Sequence, residues 1–283
     1  LLEKLRSTYV EGLLSSISPQ TGRIHPTFNS LGAATGRLSC HNPNLQNIPI
    51  RSEEGKKLRK AFMPKEKNWV FIGADYSQIE LRLLAHFSEE PALIQAFQEN
   101  RDVHTYTASL IYDIPLEQVT PSMRNQAKSV NFGILYGQQA FGLSKILHIS
   151  LKEAEHFIQR YFERYPKVEQ FIDQCKKNAS TRGYALTIRG RKRAISDIHS
   201  SNHMLKAAAE RLAINTPLQG SQADLIKEAM VKIHTYLQKF KNKAFMLLQI
   251  HDELIFEAEE NVVEEISSYI VSCMETIVAL RVP

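Results

Sequence analysis

Two apolar runs, far apart in the chain, lead into acidic residues. The first covers residues 69–75 and ends at Asp75, and the second covers residues 245–250. Short runs rich in Val, Ile, Phe and Leu predict buried β-strands. A third apolar run over residues 254–258 follows the second after three polar residues, which predicts a β-hairpin and an antiparallel sheet.

Helical periodicity accounts for most of the remaining apolar positions. Ile79, Leu83, Leu84 and Phe87 recur at helical spacing, so a helix is predicted to follow the first strand. The block from residue 91 to residue 165 is predicted to be mostly α-helical. The predicted helices include residues 91–100, 151–165, 203–215 and 222–238, and a further one with Thr120 as N-cap and Pro121 at its first position.

The other segments are predicted to be turns, an extended stretch and a basic hairpin. Residues 18–22 and 35–39 have turn composition, and the polar residues 41–49 are predicted to be extended. Residues 183–195 alternate and carry several Arg and Lys side chains around Gly190, which predicts a hairpin with a cationic turn. Such a turn can also be explained by solvation alone.

Composition narrows the class of protein without fixing its function. The chain has 283 residues, 43% of them apolar, and can therefore bury a sizeable core. Its net charge of +5 suits a polyanionic partner, although many other proteins are equally basic. The three cysteines are far apart, which excludes a CxxC motif and indicates a reducing compartment, so a cytoplasmic location is expected.

No apolar stretch approaches the roughly 20 residues of a membrane span, so no membrane partner is expected. The N-terminus also lacks the layout of a signal peptide. Because the chain begins with Leu1 rather than Met, we expect it to be part of a longer protein.

The acidic residues at the strand ends suggest metal chemistry. A carboxylate at the junction of a buried strand and a turn is desolvated and rigidly held, so Asp75 and Asp252 together could hold two divalent cations. A pair of metal ions would indicate phosphoryl transfer. A simpler explanation is that Asp75 caps the following helix and Asp252 forms the hairpin turn. The two explanations are compatible.

One predicted helix places cations and aromatic rings on a single face. Arg124, Lys128, Phe132 and Tyr136 follow one another at intervals of four residues, so they share a broad stripe. A nucleoside triphosphate has the matching polarity, with phosphates at one end and a stacking base at the other. Alternatively, the helix is simply amphipathic, with its aromatic residues in the core and its cations in solvent.

Three segments, in this order, resemble motifs A, B and C of family A DNA polymerases: residues 75–82, 124–137 and 249–254. Further stretches similar to the same family are residues 35–39, 44–49 and 215–220. The resemblance spans nearly the whole chain and is closest to the bacterial members, since the long insertions of the eukaryotic relatives are missing.

The resemblance implies an α+β fold with the right-hand architecture of polymerases. A palm with an antiparallel sheet and flanking helices would occupy residues 1–87 and 205–283, and mostly helical fingers would occupy residues 88–204. The family's thumb and exonuclease domains would precede Leu1, and its last strand would follow Pro283. We therefore expect the thumb to be absent from this segment.

The resemblance also implies roles for individual residues. Asp75 and Asp252 would hold two Mg²⁺ ions together with a backbone carbonyl contributed by Tyr76, and Glu253 would be a secondary contributor to catalysis. Lys128 would contact the triphosphate and neutralise or protonate the leaving group. The residues expected to bind the nucleotide are Arg124, Lys128, Phe132, Tyr136, Glu80, His104 and Gln78. The residues expected to contact the DNA minor groove are Arg37, Arg211, Asn215, Gln219 and His251.

Within the nucleotide set, Phe132 would stack on the incoming nucleotide and Tyr136 would lie near the templating base. Glu80, held by Tyr136, would exclude a ribose 2′-hydroxyl. The predicted function is therefore template-directed DNA synthesis, in which a monomer adds deoxynucleoside triphosphates to the primer 3′-hydroxyl of primer-template DNA and releases pyrophosphate.

Other functions fit the sequence less well. A non-catalytic nucleic-acid-binding module of the same fold would not need both carboxylates and both cations of the stripe intact. A metal-dependent phosphohydrolase using His251 and Asp252 would need further His and Asp ligands on helices, whereas these two residues lie between two apolar strand-like runs. A single-subunit RNA polymerase is disfavoured by Glu80. A phosphate-binding loop at residues 137–142 is excluded because Leu143 stands where that motif requires lysine.

Overall fold

The computed structural model describes residues 6–49 and 53–283, which form an α+β fold. The helices are α1 (Gly12–Ser15), α2 (Glu53–Arg59), α3 (Ile79–Ser88), α4 (Pro91–Gln98), α5 (Val103–Tyr112), α6 (Pro121–Leu135), α7 (Ala140–Leu147), α8 (Leu151–Arg164), α9 (Pro166–Arg182), α10 (His203–Asn215), α11 (Ser221–Leu237) and α12 (Val263–Glu275). The strands are β1 (Thr27–Asn29), β2 (Ser39–His41), β3 (Trp69–Asp75), β4 (Tyr184–Leu186), β5 (Lys192–Ala194), β6 (Ala244–Ile250) and β7 (Glu253–Glu259). Across the described part of the chain, no helix combines the length and apolar character needed to cross a membrane.

The largest sheet has three antiparallel strands in the order β3–β7–β6. Asp75 at the end of β3 lies opposite Glu253 at the start of β7, and Ile250 at the end of β6 lies opposite the same glutamate. Only His251 and Asp252 connect β6 to β7, and His251 adopts a left-handed φ of 56° to make this tight turn. The predicted hairpin and antiparallel sheet are confirmed.

The chain packs into two compact units. One comprises the described part of Leu1–Tyr76 together with Ile226–Ile277 and contains the three-stranded sheet. Its central strand β7 buries Leu254, Phe256 and Ala258, and α12 packs against β3. The acidic ends of β3 and β7 therefore stand on a rigid, well-packed sheet.

The other unit comprises Ser77–Leu225 with Val278–Pro283 and is mostly helical. α5 packs against α6, and α9 packs against both α10 and β4. Tyr161 and Tyr165 are fully buried, with their ring centroids 4.8 Å apart in a T-shaped arrangement. The palm and fingers limits given above follow polymerase anatomy rather than this division, and they stay a prediction.

Most predicted elements are present. The strand at residues 69–75 has the predicted bounds, the helix after Thr120 runs from Pro121 to Leu135, and the basic hairpin forms between β4 and β5. The hydroxyl of Thr120 accepts a hydrogen bond from the Met123 amide at 3.3 Å, as expected of an N-cap.

The extended conformation expected for residues 41–49 is wrong in part. Asn44 accepts a hydrogen bond from the Gln46 amide at 3.0 Å, and this side-chain cap starts the 3₁₀ turn Leu45–Asn47. The pairing of β1 with β2 and the helices α9 and α12 were not predicted.

Candidate active site

An acidic cluster lies at one end of the three-stranded sheet. Asp75 ends β3, Glu253 begins β7 directly opposite, and Asp252 lies in the connecting turn. The Tyr76 amide donates a hydrogen bond to the Asp252 carbonyl at 3.2 Å, which fixes the turn against the end of β3. A Cβ on Gly73 would approach Glu253 Oε1 to 3.0 Å, so glycine at this position leaves room for the glutamate side chain.

The electrostatics of this cluster are unfavourable without a counter-ion. Desolvation, together with the charges of Asp252 and Glu253, raises the pKa of Asp75 to about 6. The Asp75 side chain is nevertheless solvent-exposed, so a cation from solution can reach it. A bound divalent cation would relieve the repulsion between these carboxylates.

The donor atoms suit a hard cation whose remaining ligands come from substrate and water. Within residues 6–49 and 53–283, no three His, Cys, Asp or Glu side chains are grouped so as to hold a metal ion by themselves. Mg²⁺ is commonly bound by one or two carboxylates plus substrate phosphates, so a pair of aspartates fits it. The Tyr76 hydroxyl donates to the Met274 carbonyl at 3.0 Å, which leaves the Tyr76 backbone carbonyl as the ligand this residue can offer.

In the helical unit, α6 carries the predicted stripe. Lys128 is exposed, Arg124 and Phe132 are half-buried, and Tyr136 caps the C-terminal end of the helix with 38% of its surface exposed. The rings of Phe132 and Tyr136 are stacked with centroids 6.2 Å apart. The opposite face is buried through residues such as Val130, so α6 is amphipathic and still presents the stripe.

The end of α6 requires glycine. Gly137 has a left-handed φ of 65°, and a Cβ there would lie 3.1 Å from Arg211 Cγ and 3.2 Å from Ile214 Cδ1. The close approach brings the Tyr136 end of the stripe next to α10, which carries Arg211.

Arg124 is held by a carboxylate that the sequence did not point to. Its Nε and Nη2 donate to Asp102 at 3.0 and 2.8 Å. Asp102 also caps α5 by accepting from the Thr105 amide at 2.7 Å. Although partial burial disfavours the ionised form, hydrogen bonds from Arg124 and Thr105 hold the pKa of Asp102 well below its usual range. The pair uses one edge of the guanidinium and leaves Nη1 to another acceptor.

His104 is buried beneath the stripe and is neutral at pH 7. Only 3% of its surface is exposed, and burial lowers its pKa to about 4. Its Nδ1 accepts from the Asn131 amide at 3.0 Å, so the proton resides on Nε2. His104 lies against Phe132, with ring centroids 5.7 Å apart. It is therefore suited to position the aromatic ring or to donate one hydrogen bond, and it supplies no positive charge.

Glu80, near the start of α3, is 7% exposed and accepts a hydrogen bond from the Tyr136 hydroxyl at 2.8 Å. The sequence-based pairing of these two residues is thus present in the structure, although the role given to it is a prediction. Gln78 precedes α3 with a left-handed φ of 53° and makes no capping hydrogen bond through its side chain.

The residues expected to contact DNA are distributed over both units. Arg37 is half-buried in the loop before β2, and His251 is exposed in the β6–β7 turn. Arg211 is exposed on α10, whereas Asn215 and Gln219 are half-buried at and after its end. Each residue is at least partly exposed, and their roles remain predictions.

Two residues of the site were missed from the sequence. Asp102 has a detectable signal, since an aspartate before a helix predicts an N-cap, but its ion pair with Arg124 depends on tertiary packing. Asn131 is fully buried and exchanges hydrogen bonds with Thr107, whose hydroxyl also lies 3.0 Å from the Tyr165 hydroxyl. A buried asparagine between helical positions gives no sequence signal of its partners.

The chain is similar to known proteins over its whole length. The family model for DNA polymerase family A matches residues 1–283. The chain is 49% identical over 282 residues to DNA polymerase I of Bacillus caldotenax and 47% identical over 282 residues to the thermostable DNA polymerase I of Thermus aquaticus. Each alignment covers 100% of this chain but only 32% and 34% of those relatives, so the chain spans about a third of their length.

A solved structure is also similar. It is described as the POL domain of Pol1 from M. smegmatis in complex with DNA primer-template and dNTP. The match has a TM-score of 0.94 at 41% sequence identity and covers 99% of this chain and 49% of that one.

Proposed function

The chain belongs to DNA polymerase family A, and we propose that it is the palm and fingers portion of a template-directed DNA polymerase. The reaction would add a deoxynucleotide to a primer. The primer 3′-oxygen bonds to the α-phosphorus, the bond to the β-phosphate oxygen breaks, and pyrophosphate leaves. The protein would act as a cytoplasmic monomer on primer-template DNA and deoxynucleoside triphosphates.

The observation that carries this proposal is the convergence of Asp75, Asp252 and Glu253 at one end of the sheet, with the pKa of Asp75 raised to about 6. Carboxylates that repel one another at an exposed, rigid position are suited to bind cations. A purely structural helix cap or turn would not require three carboxylates to be brought together.

Asp75 and Asp252 would hold two Mg²⁺ ions, with the Tyr76 carbonyl as a further ligand. When bound, the ions would lower the pKa of the primer 3′-hydroxyl and neutralise charge on the triphosphate. Glu253, fixed opposite Asp75 by the strand register, would support the same cluster.

The helical unit would bind the nucleotide through the stripe on α6. Arg124, already oriented by Asp102, would offer Nη1 to a phosphate, and the exposed Lys128 would neutralise or protonate the leaving pyrophosphate. Phe132 would stack on the base and sugar, supported by His104. Glu80, held by the Tyr136 hydroxyl, would occupy the space of a 2′-hydroxyl, and Gln78 would lie nearby in the same strand-to-helix connection.

Arg37, Arg211, Asn215, Gln219 and His251 would contact the minor groove of the primer-template. Acceptor atoms there are shared by all correct base pairs, so these contacts would sense pairing without reading sequence.

Primer extension by the full-length protein that contains this chain tests the proposal. With Mg²⁺ and a template of known sequence, extension should occur only with the complementary deoxynucleotide at each position and should stop when EDTA removes the metal. Extension that ignores the template, or no extension by a folded protein that binds primer-template DNA, would refute it.

A further inference from the structure

The segment between α10 and α11 departs from regular α-helical geometry. Residues Thr216–Gly220 form a wide π-helical turn in which Pro217 lacks an amide hydrogen, so regular helical hydrogen bonding is interrupted. Asn215 Oδ1 is buried and has no hydrogen-bond partner among the described residues. Gln219 is half-buried in the middle of this turn. Contacts from outside the turn can therefore contribute to its conformation.

The basic hairpin β4–β5 forms hydrogen bonds with the C-terminal end of this turn. Arg191 Nε donates to Asp224 Oδ1 at 2.8 Å, and Arg191 Nη2 donates to the Gly220 carbonyl at 2.9 Å. From the same hairpin, the Ile188 amide donates to Ser221 Oγ at 2.8 Å. These bonds attach the hairpin to the last residue of the turn and to the first residues of α11.

The attachment is buried. Ser221 is fully buried, and the side chains of Asp224 and Arg191 are only 10% and 29% exposed. The hairpin itself is rigid around Arg191, because the Arg191 amide donates to Thr187 Oγ1 at 3.1 Å and Gly190 turns with a left-handed φ of 78°. A solvated cationic turn would show none of these contacts.

We propose that Arg191, paired with Asp224, is a positioning residue that fixes the backbone of the Thr216–Gly220 turn and thereby aims Gln219 at the DNA minor groove. The contacts above support the fixing of the turn by Arg191. The orientation of Gln219 toward DNA rests on the proposed function, in which Gln219 touches primer-template DNA.

Geometry makes Arg191 hard to replace even by lysine. A guanidinium can donate simultaneously to a carboxylate and to a backbone carbonyl from two fixed nitrogens, whereas one ammonium group cannot reproduce that fork. Lys192 provides a matched control, since it lies on the same hairpin, is exposed, and packs over the Tyr184 ring rather than against the turn.

We call the hydrogen bonds of Arg191 to Asp224 and to the Gly220 carbonyl the clamp. Hydrogen–deuterium exchange tests the clamp without any assumption about DNA. In the full-length protein, Arg191→Lys should speed exchange of the amides at Thr216 and at residues 218–221 at least about tenfold relative to wild type, and Asp224→Asn should do the same. Lys192→Ala should leave these amides unchanged. Unchanged exchange in Arg191→Lys, or an equal rise in Lys192→Ala, would overturn the clamp.

Binding of primer-template DNA tests the functional half. Gln219→Ala and Arg191→Lys should each raise the Kd for matched primer-template about five- to tenfold, with the KM for deoxynucleotides within twofold of wild type. The Kd of the double variant should be at most about twofold above that of the single variant with the higher Kd, because Arg191 acts through Gln219. If the Kd of the double variant instead rises by the product of the two single increases, Arg191 affects DNA binding by another route, and the inference is overturned.

The two failures are distinguishable. Normal DNA binding by Gln219→Ala, combined with faster exchange in Arg191→Lys, would reject the proposed minor-groove role of Gln219 and keep the clamp. Weaker DNA binding by Gln219→Ala, combined with normal exchange and normal binding in Arg191→Lys, would reject the clamp and keep the proposed function.

Discussion

Individual side chains at the candidate site are held in place by specific partners. Glu80 is 7% exposed and accepts from the Tyr136 hydroxyl, and Arg124 is gripped by Asp102. A carboxylate fixed in this way can act as a wall, since it cannot rotate aside at low cost. Single substitutions at these positions can therefore test sugar selection and protonation.

Replacing Glu80 with Ala should raise incorporation of ribonucleotides relative to deoxynucleotides by about ten- to a hundredfold, since an apolar gap rejects an extra hydroxyl only weakly. Tyr136→Phe, which keeps the ring and removes the donor to Glu80, should give a smaller change in the same direction. The measurement is the ratio of kcat/KM for the two sugars. Glu89→Ala, at the exposed end of α3, serves as the control. An unchanged ratio in Glu80→Ala would leave that residue with a helix-stabilising role only, worth about 0.3–1 kcal/mol.

His104 should make stability depend on pH. Its folded-state pKa of about 4 lies below the ordinary value of 6.5, so the buried neutral form contributes stability that is present above pH 6.5. That stability is lost as the pH falls toward 4, because the unfolded chain binds the proton first. In chemical denaturation, the free energy of unfolding should therefore fall more between pH 7.5 and pH 4.5 for wild type than for His104→Gln. Equal losses would mean that His104 is not kept neutral by burial.

At the scale of single elements, α6 combines a buried face with a polar stripe. The ion pair between Arg124 and Asp102 joins two side chains that are 40% and 37% exposed, so it stabilises the fold by only about 0.2–1 kcal/mol. The two cations of the stripe can therefore be removed without unfolding the helix. Their main effect should appear in nucleotide binding.

Arg124→Ala and Lys128→Ala should each lower kcat/KM for deoxynucleotides about ten- to a hundredfold, corresponding to about 1.5–3 kcal/mol per lost charged hydrogen bond. Affinity for primer-template DNA should change less than about threefold. Single-nucleotide kinetics and DNA titration separate the two effects, and Lys145→Ala on the neighbouring α7 is a suitable control. Variants that lose DNA affinity but keep normal nucleotide kinetics would place this helix on the duplex.

Element prediction succeeded where one local signal dominated. The Thr120 cap with Pro121 located the start of α6, and short apolar runs located β3 and the β6–β7 hairpin. Ile266 and Ile270, four residues apart and both buried, are a helical signal for α12. The turn at Leu45–Asn47 was mistaken for an extended segment, because a polar stretch next to proline does not reveal that Asn44 will cap it.

Across the whole molecule, the sequence could not specify which distant segments would pair. The apolar runs ending at Asp75 and preceding Asp252 were visible, but their antiparallel register, with Asp75 opposite Glu253, comes from the fold. The Asp102–Arg124 and Arg191–Asp224 ion pairs could not be predicted either, because in each pair a helix lies between the two residues in the chain. Local patterns determine elements, whereas long-range ion pairs depend on how those elements pack.

The central claim is that Asp75 and Asp252 form the metal-binding centre of DNA synthesis, and primer extension in Mg²⁺ by Asp75→Asn and Asp252→Asn tests it most directly. Both changes keep side-chain volume and remove a charge from a repulsive cluster, so the melting temperature without metal should be equal to or above that of wild type. Extension should fall about a thousandfold or more, while Glu260→Gln, an exposed carboxylate beyond β7, should extend normally. Near-normal extension by either aspartate variant, with a folded protein and saturating DNA, would contradict the account.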